Sequence, residues 1–309
     1  MHKSHASAQV NTAGQTRSAS PVKTLLAYLA LTKPNIIVLL LVTTLAGMLA
    51  AGRGSVSPNI MLITLFAGYL CAGGASTLNS YLDRDIDQLM ERTRKRPLPS
   101  SRVQGTSALV FGIALGIVSI ALFAAFVNTL SAVLAAAAFV YYVFLYSFYL
   151  KRRTPQNIVV GGAAGAFPPL IGWVAVTGTL SPAAVFLFLI IFFWTPPHAW
   201  ALSLLVKDDY TRAQVPMLPV IMGERETTRQ MLIYSWYMLA VTLLPASLRI
   251  FGPLYLGSAL VLGLAFLAMS YEVYHRPDKA RMRRLYKYST LYLSLIFLAL
   301  VLDRVLFVV

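Results

Sequence analysis

Nine continuous apolar runs dominate this chain, at about 34–51, 58–80, 106–127, 129–149, 156–177, 181–206, 227–248, 251–274 and 287–308. Each is long enough to cross a hydrocarbon core of roughly 30 Å as a helix of about 20 residues. The runs are unbroken and rich in Leu and Ala rather than alternating, which excludes the strands of a membrane β-barrel. Of the 309 residues 58% are hydrophobic and 12% charged. A soluble domain needs far more polar surface, so lipid must solvate much of this protein. The expected class is all-α, a polytopic membrane protein with about nine transmembrane helices.

Charge placement agrees with the count. If the N-terminus is cytoplasmic, all but three of the 26 Lys and Arg residues fall on one side; only Arg53, Arg249 and Arg304 fall on the other. Positive charge is held on the inner side of membranes, so this pattern predicts an inner (plasma) membrane protein with its N-terminus cytoplasmic and its C-terminus outside. The net charge of +15 then reads as topology and attraction to anionic lipid headgroups, not as a nucleic-acid surface. The single cysteine, Cys71, rules out an intrachain disulfide. Residues 1–22 are polar and lack the apolar core of a secretory signal peptide. They are expected to form a disordered cytoplasmic tail, leaving residues 23–309 as one intramembrane domain.

The chemistry-bearing residues gather on the basic side. In "NSYLDRDIDQLMERTRKRP", Asn79, Asp83 and Asp87 are spaced i, i+4, i+8, which puts all three on one helix face. Asp85 points elsewhere and is expected to pair with Arg84 or Arg92. Carboxylates near a helix C-terminus oppose the macrodipole and need compensation. Oxygen donors on one face at a membrane surface suit Mg²⁺, which keeps waters and takes substrate phosphates as ligands. A second acidic cluster lies in "TPPHAWALSLLVKDDYTRAQVPMLPV", where Pro196-Pro197 should kink or restart the helix and Asp208 and Asp209 follow. His198 and Asp209 are eleven residues apart, close to three turns, so they would share a face with the histidine about 16 Å deeper. The second and sixth runs thus both end in acids followed by a basic loop, as if one site were built from two similar halves. Arg92, Arg96, Lys151, Arg152, Lys207 and Arg212 stand near these acids. Acids and bases make sense together if metal ions bridge the acids to a polyphosphate that the bases clamp.

These segments resemble the UbiA superfamily of intramembrane prenyltransferases through the Asn79–Asp83–Asp87 pattern. The segments "LTKPNI", "MERTRKRPLP", "LKRRTPQNIVVGGAAGAFPPLIGW", "PPHAWALSLLVKDDYTRAQVPMLPV" and "ARMRRLYKYSTLYLSLIFLAL" resemble its heme-farnesylating branch. The resemblance implies nine helices around a central cavity, with farnesyl diphosphate held through Mg²⁺ by the two acidic motifs and its tail in a lipid-facing groove. Protoheme IX would be the acceptor, and a heme A synthase the partner downstream. Asn79, Asp83 and Asp87 match the first motif. Arg92, Thr93 and Arg96 match the loop after it, and Lys151 and Arg152 match the basic turn after the fourth span. The metal set is then Asn79, Asp83, Asp87, Asp208 and Asp209, although the superfamily more often spaces the second pair of acids four apart. It also more often has glycine where Gln214 stands. Rings that could face an allylic cation are Tyr146, Phe148 and Trp173, and His198 or Trp200 would meet the macrocycle. Gly161, Gly162 and Gly165 would allow close approach of a helix or a flat ligand.

Two other readings share parts of this pattern. A sister enzyme that prenylates an aromatic acid or quinone precursor would keep the Asn79/Asp83/Asp87 site and differ only in the acceptor pocket. A non-catalytic heme-handling transporter would carry ionisable residues aligned at mid-membrane, and none of the nine runs has an Asp, Glu or Lys at its centre.

Overall fold

The computed structural model describes residues 20–307. The expected polar tail therefore lies, through residue 19, outside the described residues. The first element, α1 (Pro21–Thr32), is a short apolar helix, and α2 (Pro34–Ala51) and α3 (Pro58–Leu82) are the first two spans. Each of these begins with proline, whose fixed φ suits the first helical turn and whose missing N–H costs nothing there. A six-residue helix, α4 (Arg84–Leu89), continues from α3 past Asp83. Then come α5 (Gly105–Phe126), α6 (Thr129–Val140), the pair α7 (Asn157–Gly161) and α8 (Ala163–Thr177), and α9 (Pro182–Leu205). After α9 the chain forms α10 (Lys207–Arg212) and α11 (Leu218–Ile221), and closes with α12 (Gly223–Ser247), α13 (Pro253–His275) and α14 (Lys279–Leu306).

Among the described residues eight helical segments are long and apolar enough to span a bilayer. The remaining run, 227–248, falls in α12, which has the length, at 25 residues, but opens with the polar stretch "GERETTRQ", so only its later part is apolar. The chain is a multi-pass, all-helical membrane protein. Large apolar side chains such as Phe66, Val110, Ile117 and Val261 are exposed on its outer faces, as a bilayer requires.

Two features differ from simple helical periodicity. Pro196 and Pro197 do not restart the chain: α9 runs through both of them. Both prolines are buried, and apolar burial along this central helix offsets the backbone hydrogen bonds they remove. The fourth span is not one α-helix. Beyond Val140 it becomes a π-helical segment, Tyr141–Tyr149, and ends in a 3₁₀ turn, Leu150–Arg152. Segments wound this way are uncommon and often mark functional sites.

Close packing fixes the helix that carries the first motif. A methyl group placed on Gly74 of α3 would lie 2.7 Å from the Gly112 carbonyl oxygen of α5, so these backbones touch as only small residues allow. The largest buried cluster joins α9, α12, α13 and α14 with parts of α2 and α8, and brings together Trp194, Trp200, Tyr255, Phe266 and Tyr292.

Candidate active site

The ladder of backbone bonds continues through the first motif. Asp83 N–H donates to Asn79 O at 2.9 Å and Asp87 N–H to Asp83 O at 2.8 Å, so the three motif side chains keep one helical face. Asn79, Asp83 and Asp87 are all buried. Each meets a cation from a different part of the chain. Lys33, between α1 and α2, donates to Asn79 Oδ1 at 2.8 Å. Lys151, at the end of the fourth span, donates to Asp83 Oδ2. Arg96 donates through Nη1 to Asp87 Oδ1 at 3.1 Å and Oδ2 at 2.9 Å. Thr93 supports this loop by donating to the Asp87 carbonyl at 2.9 Å. Asn79 also donates to Asp83 Oδ2 at 2.8 Å and to Ser147 Oγ at 3.1 Å. Ser147 in turn reaches back five residues, to Tyr142 O, in the π-helical register.

Burial makes this electrostatic arrangement tight. The cost of removing Lys33 from water, with Arg96 and Lys151 also nearby, pulls its ammonium down to about 7. Asp83 Oδ1 is buried and accepts no hydrogen bond among the described residues. A bare carboxylate oxygen in such a place is costly unless something cationic meets it.

Asp85 does not pair with Arg84 or Arg92. It binds Arg152 at 2.6 and 2.7 Å, which holds its carboxyl down at about 2, and Arg152 also caps the end of α3 through Leu82 O at 2.5 Å. Arg84 lies instead over the Tyr81 ring, and Arg92 is exposed. Residues close in sequence lost to one brought in by the fold, because the turn after the fourth span lands beside Asp85.

The second acidic cluster reaches the first. Asp209 Oδ1 accepts from the Glu91 backbone N–H at 3.3 Å, across 118 positions of sequence, and also from Arg212. Burial works to raise the Asp209 carboxyl, but Arg212 and the backbone N–H groups of Glu91 and Arg92 outweigh it and hold it low. Arg212 extends towards Glu91 at 3.7 Å. An apolar seam beneath, formed by Ile86, Met90, Ala213, Val215 and Met217, joins the loops. Asp208 is exposed and Lys207 half-buried. Gln214 adopts the left-handed conformation (φ 52°), the one glycine takes most cheaply. His198 and Asp209 lie on separate helices, because α9 ends at Leu205 and α10 starts at Lys207 with Val206 between them. Among the described residues no three His, Cys, Asp or Glu side chains form a ready-made metal cluster. Of the five expected metal ligands, Asp208 is exposed, Asp209 is engaged by Arg212, and Asp87 is engaged by Arg96. Asp83 and Asp87 with the Asn79 amide oxygen are a donor set that fits Mg²⁺, an ion that takes one or two carboxylates and fills the rest with water and phosphate.

An apolar cavity of about 220 Å³ opens one turn above Asn79, between Ser76 and Tyr142, and extends past Leu40, Cys71, Phe123 and Phe139. Tyr142 and Tyr146 pack together with centroids 5.4 Å apart at the site end. Gly161 has no side chain because the Tyr146 ring is there: a methyl group would come within 2.1 Å of it. Gly162 clears Thr195, while Gly165 has open space and lines the cavity. Phe148 faces outward, 60% exposed. Trp173 is buried at the far end of α8, with Arg304 over its ring at 5.9 Å and Arg304 also near Ala50 O, at the opposite end of α2 from Lys33. Neither ring is brought to the acids. His198 is stacked between Trp194 and Tyr286 at 4.2 and 4.8 Å, with Nδ1 2.6 Å from Ser289 Oγ. Trp200 is buried against Tyr234, and its Nε1 lacks a partner among the described residues. Sequence reasoning missed Lys33 and Ser147. The "LTKPNI" lysine stood out only as a charge, and nothing in the sequence announced the π-helical winding that turns Ser147 to Asn79.

The sequence profile of the UbiA prenyltransferase family matches residues 40–300. The chain belongs to this family. It is 50% identical to a protein of Roseiflexus sp. (strain RS-1) named "Protoheme IX farnesyltransferase", over 91% of this chain and 52% of that protein. It is also 50% identical to "Protoheme IX farnesyltransferase 1" of Pseudomonas putida (strain GB-1), over 90% of this chain and 93% of that one. The chain thus spans about half the length of some of the curated relatives it matches and nearly the whole of others. Among solved structures, a digeranylgeranylglyceryl phosphate synthase has the same fold, with a TM-score of 0.77 at 20% identity over 92% of this chain and 100% of that one. So does a UbiA homologue from Archaeoglobus fulgidus bound to DMAPP and Mg²⁺, with a TM-score of 0.62 at 17% identity over 88% and 98%.

Proposed function

We propose that this family member transfers the farnesyl group of farnesyl diphosphate to the vinyl group of protoheme IX, with addition of water, giving heme O. Two observations support a diphosphate-handling site: the two acidic loops meet across 118 residues, at Glu91 and Asp209, and the buried Asp83 Oδ1 has no hydrogen-bond partner among the described residues. The choice of heme and farnesyl rests on the names of relatives half identical over nearly the whole chain.

Asn79, Asp83 and Asp87 would hold Mg²⁺, since they set oxygen donors on one buried helical face; a UbiA homologue of the same fold was solved with DMAPP and Mg²⁺. The ion, when bound, would supply positive charge to the departing diphosphate. The chain itself does the remaining work. Lys151 and Arg96 carry fixed positive charge beside the place where the leaving group becomes negative. Arg92, Lys207 and Arg212, on the two loops, would close over the diphosphate. The apolar cavity above Asn79 takes the isoprenoid tail and keeps water from the allylic cation, which Tyr142 and Tyr146 can face with their rings. The heme vinyl group then attacks that carbon, and water captures the cation left on the acceptor and loses a proton to give the hydroxyl. His198 has Nδ1 engaged by Ser289, so Nε2 is the ring nitrogen free to meet the macrocycle. Trp200 offers a buried N–H nearby. The basic end would face the cytoplasm in the inner membrane, with the N-terminus inside and the C-terminus outside, and a heme A synthase would consume the product.

The test is direct. Purified protein given heme b, farnesyl diphosphate and Mg²⁺ should yield a heme heavier by one farnesyl group and one hydroxyl group, read by mass spectrometry. Turnover undiminished in excess chelator would remove the metal, and an unchanged heme beside a prenylated aromatic acid would replace the acceptor.

A further inference from the structure

Lys33 sits at the join of α1 and α2 in a left-handed conformation (φ 56°, ψ 58°), directly before Pro34. Glycine or asparagine makes such a turn more cheaply, so a lysine there needs a reason beyond the turn. Its side chain supplies one, by ending on the metal motif. An ammonium group only donates, so the atom of Asn79 that faces it must be the amide oxygen. The amide nitrogen is then fixed on Asp83 Oδ2 and Ser147 Oγ. The only atom of Asn79 that could bind a metal is therefore already occupied by a cation. Asp83 differs: Lys151 and Asn79 share Oδ2, while Oδ1 is buried and bare.

We propose that Lys33 is a displaceable counter-ion that couples metal binding to diphosphate binding. A divalent cation enters on the open Asp83 Oδ1 and completes its site with Asn79 Oδ1. Two cations on one amide oxygen repel strongly inside a protein, so the metal expels the ammonium. The freed ammonium turns to an oxygen of the diphosphate, which compensates it again. Metal alone is therefore held back by Lys33, and metal with diphosphate is favoured by it. This rests on the metal-and-diphosphate reading above and adds to it a residue and a reason for cooperative binding. Lys33 acts here as a positioning and charge-compensating residue.

The test uses the full chain in detergent, with Mn²⁺ alone followed by electron paramagnetic resonance, and inorganic pyrophosphate titrated calorimetrically at saturating Mn²⁺. Lys33→Met should bind Mn²⁺ alone about tenfold more tightly than the unaltered protein, and pyrophosphate about tenfold more weakly, within the usual range of coupling between sites. Lys33→Gln should behave alike, and Lys33→Arg should keep the unaltered protein's weak grip on metal alone. If both neutral variants bind Mn²⁺ no more tightly than the unaltered protein, or hold pyrophosphate equally well, Lys33 is not the coupling group. Failure of the underlying reading looks different: Asp83→Asn would then leave Mn²⁺ binding unchanged in a chain that still has Lys33.

Discussion

The two acidic motifs follow one plan and meet opposite fates. In each, a long membrane helix ends, one residue breaks the run, and a six-residue helix carries acids: α3, Asp83 and α4 in one half, α9, Val206 and α10 in the other. In the first, Asp83 and Asp87 are buried and paired with cations from other parts of the chain. In the second, Asp208 is exposed, and Asp209 pairs with Arg212 of its own short helix. Similar local sequence therefore does not mean equal roles. Burial removes the water that would screen a charge and fixes its geometry, so in the proposed function the first motif would be the anchor. The second, half-buried at Asp209 and held by an arginine that is itself exposed, would close over a bound diphosphate.

The contrast can be broken by removing charges in turn. Asp83→Asn should lower kcat by about 10³-fold or more, since a fixed charge at the reacting centre is lost. Circular dichroism should show the helices intact; equal loss of helix would mean the residue is structural. Chelation of divalent metal should be as severe in the unaltered protein and reversed by added Mg²⁺. Arg96→Met, which uncovers the buried Asp87, should cost about 10²-fold in turnover. Asp209→Asn should cost only about tenfold, expressed mainly in KM for the prenyl diphosphate, as expected of a group that holds the substrate rather than the transition state. Asp208→Asn should cost less still. If Asp209→Asn matched Asp83→Asn in kcat, the two halves would be equivalent and the distinction between anchor and lid would fall. The smallest effect should come from Gln214→Gly. Relief of the left-handed backbone there should raise thermal stability by no more than about 1 kcal/mol, without changing turnover.

Much of this was legible in one dimension. Apolar run length reports membrane crossing because a bilayer has one thickness, and the i, i+4, i+8 spacing of Asn79, Asp83 and Asp87 reports a shared face because helix geometry is local. The same reasoning stumbled where it reached across an interruption. The single helix expected from His198 to Asp209 is interrupted at Val206, and the buried prolines of α9 were absorbed by their packing. Partners assigned by nearness in sequence fared worst, because Asp85 went to Arg152 and not to Arg84 or Arg92. Trp173 and Phe148 have the right chemistry for a cation but lie at the far end of α8 and on the outer surface.

By itself the sequence determined that this is a helical membrane protein with its charges and its oxygen donors at one end, because hydrophobic length, charge asymmetry and helical spacing are properties of neighbouring residues. Only the tertiary structure decided which donors meet which cations. Lys33 reaches Asn79 across 46 positions and Glu91 meets Asp209 across 118, contacts set by how helices pack and where their ends break. Packing of that kind depends on the shapes of whole faces, and no single stretch of chain contains it.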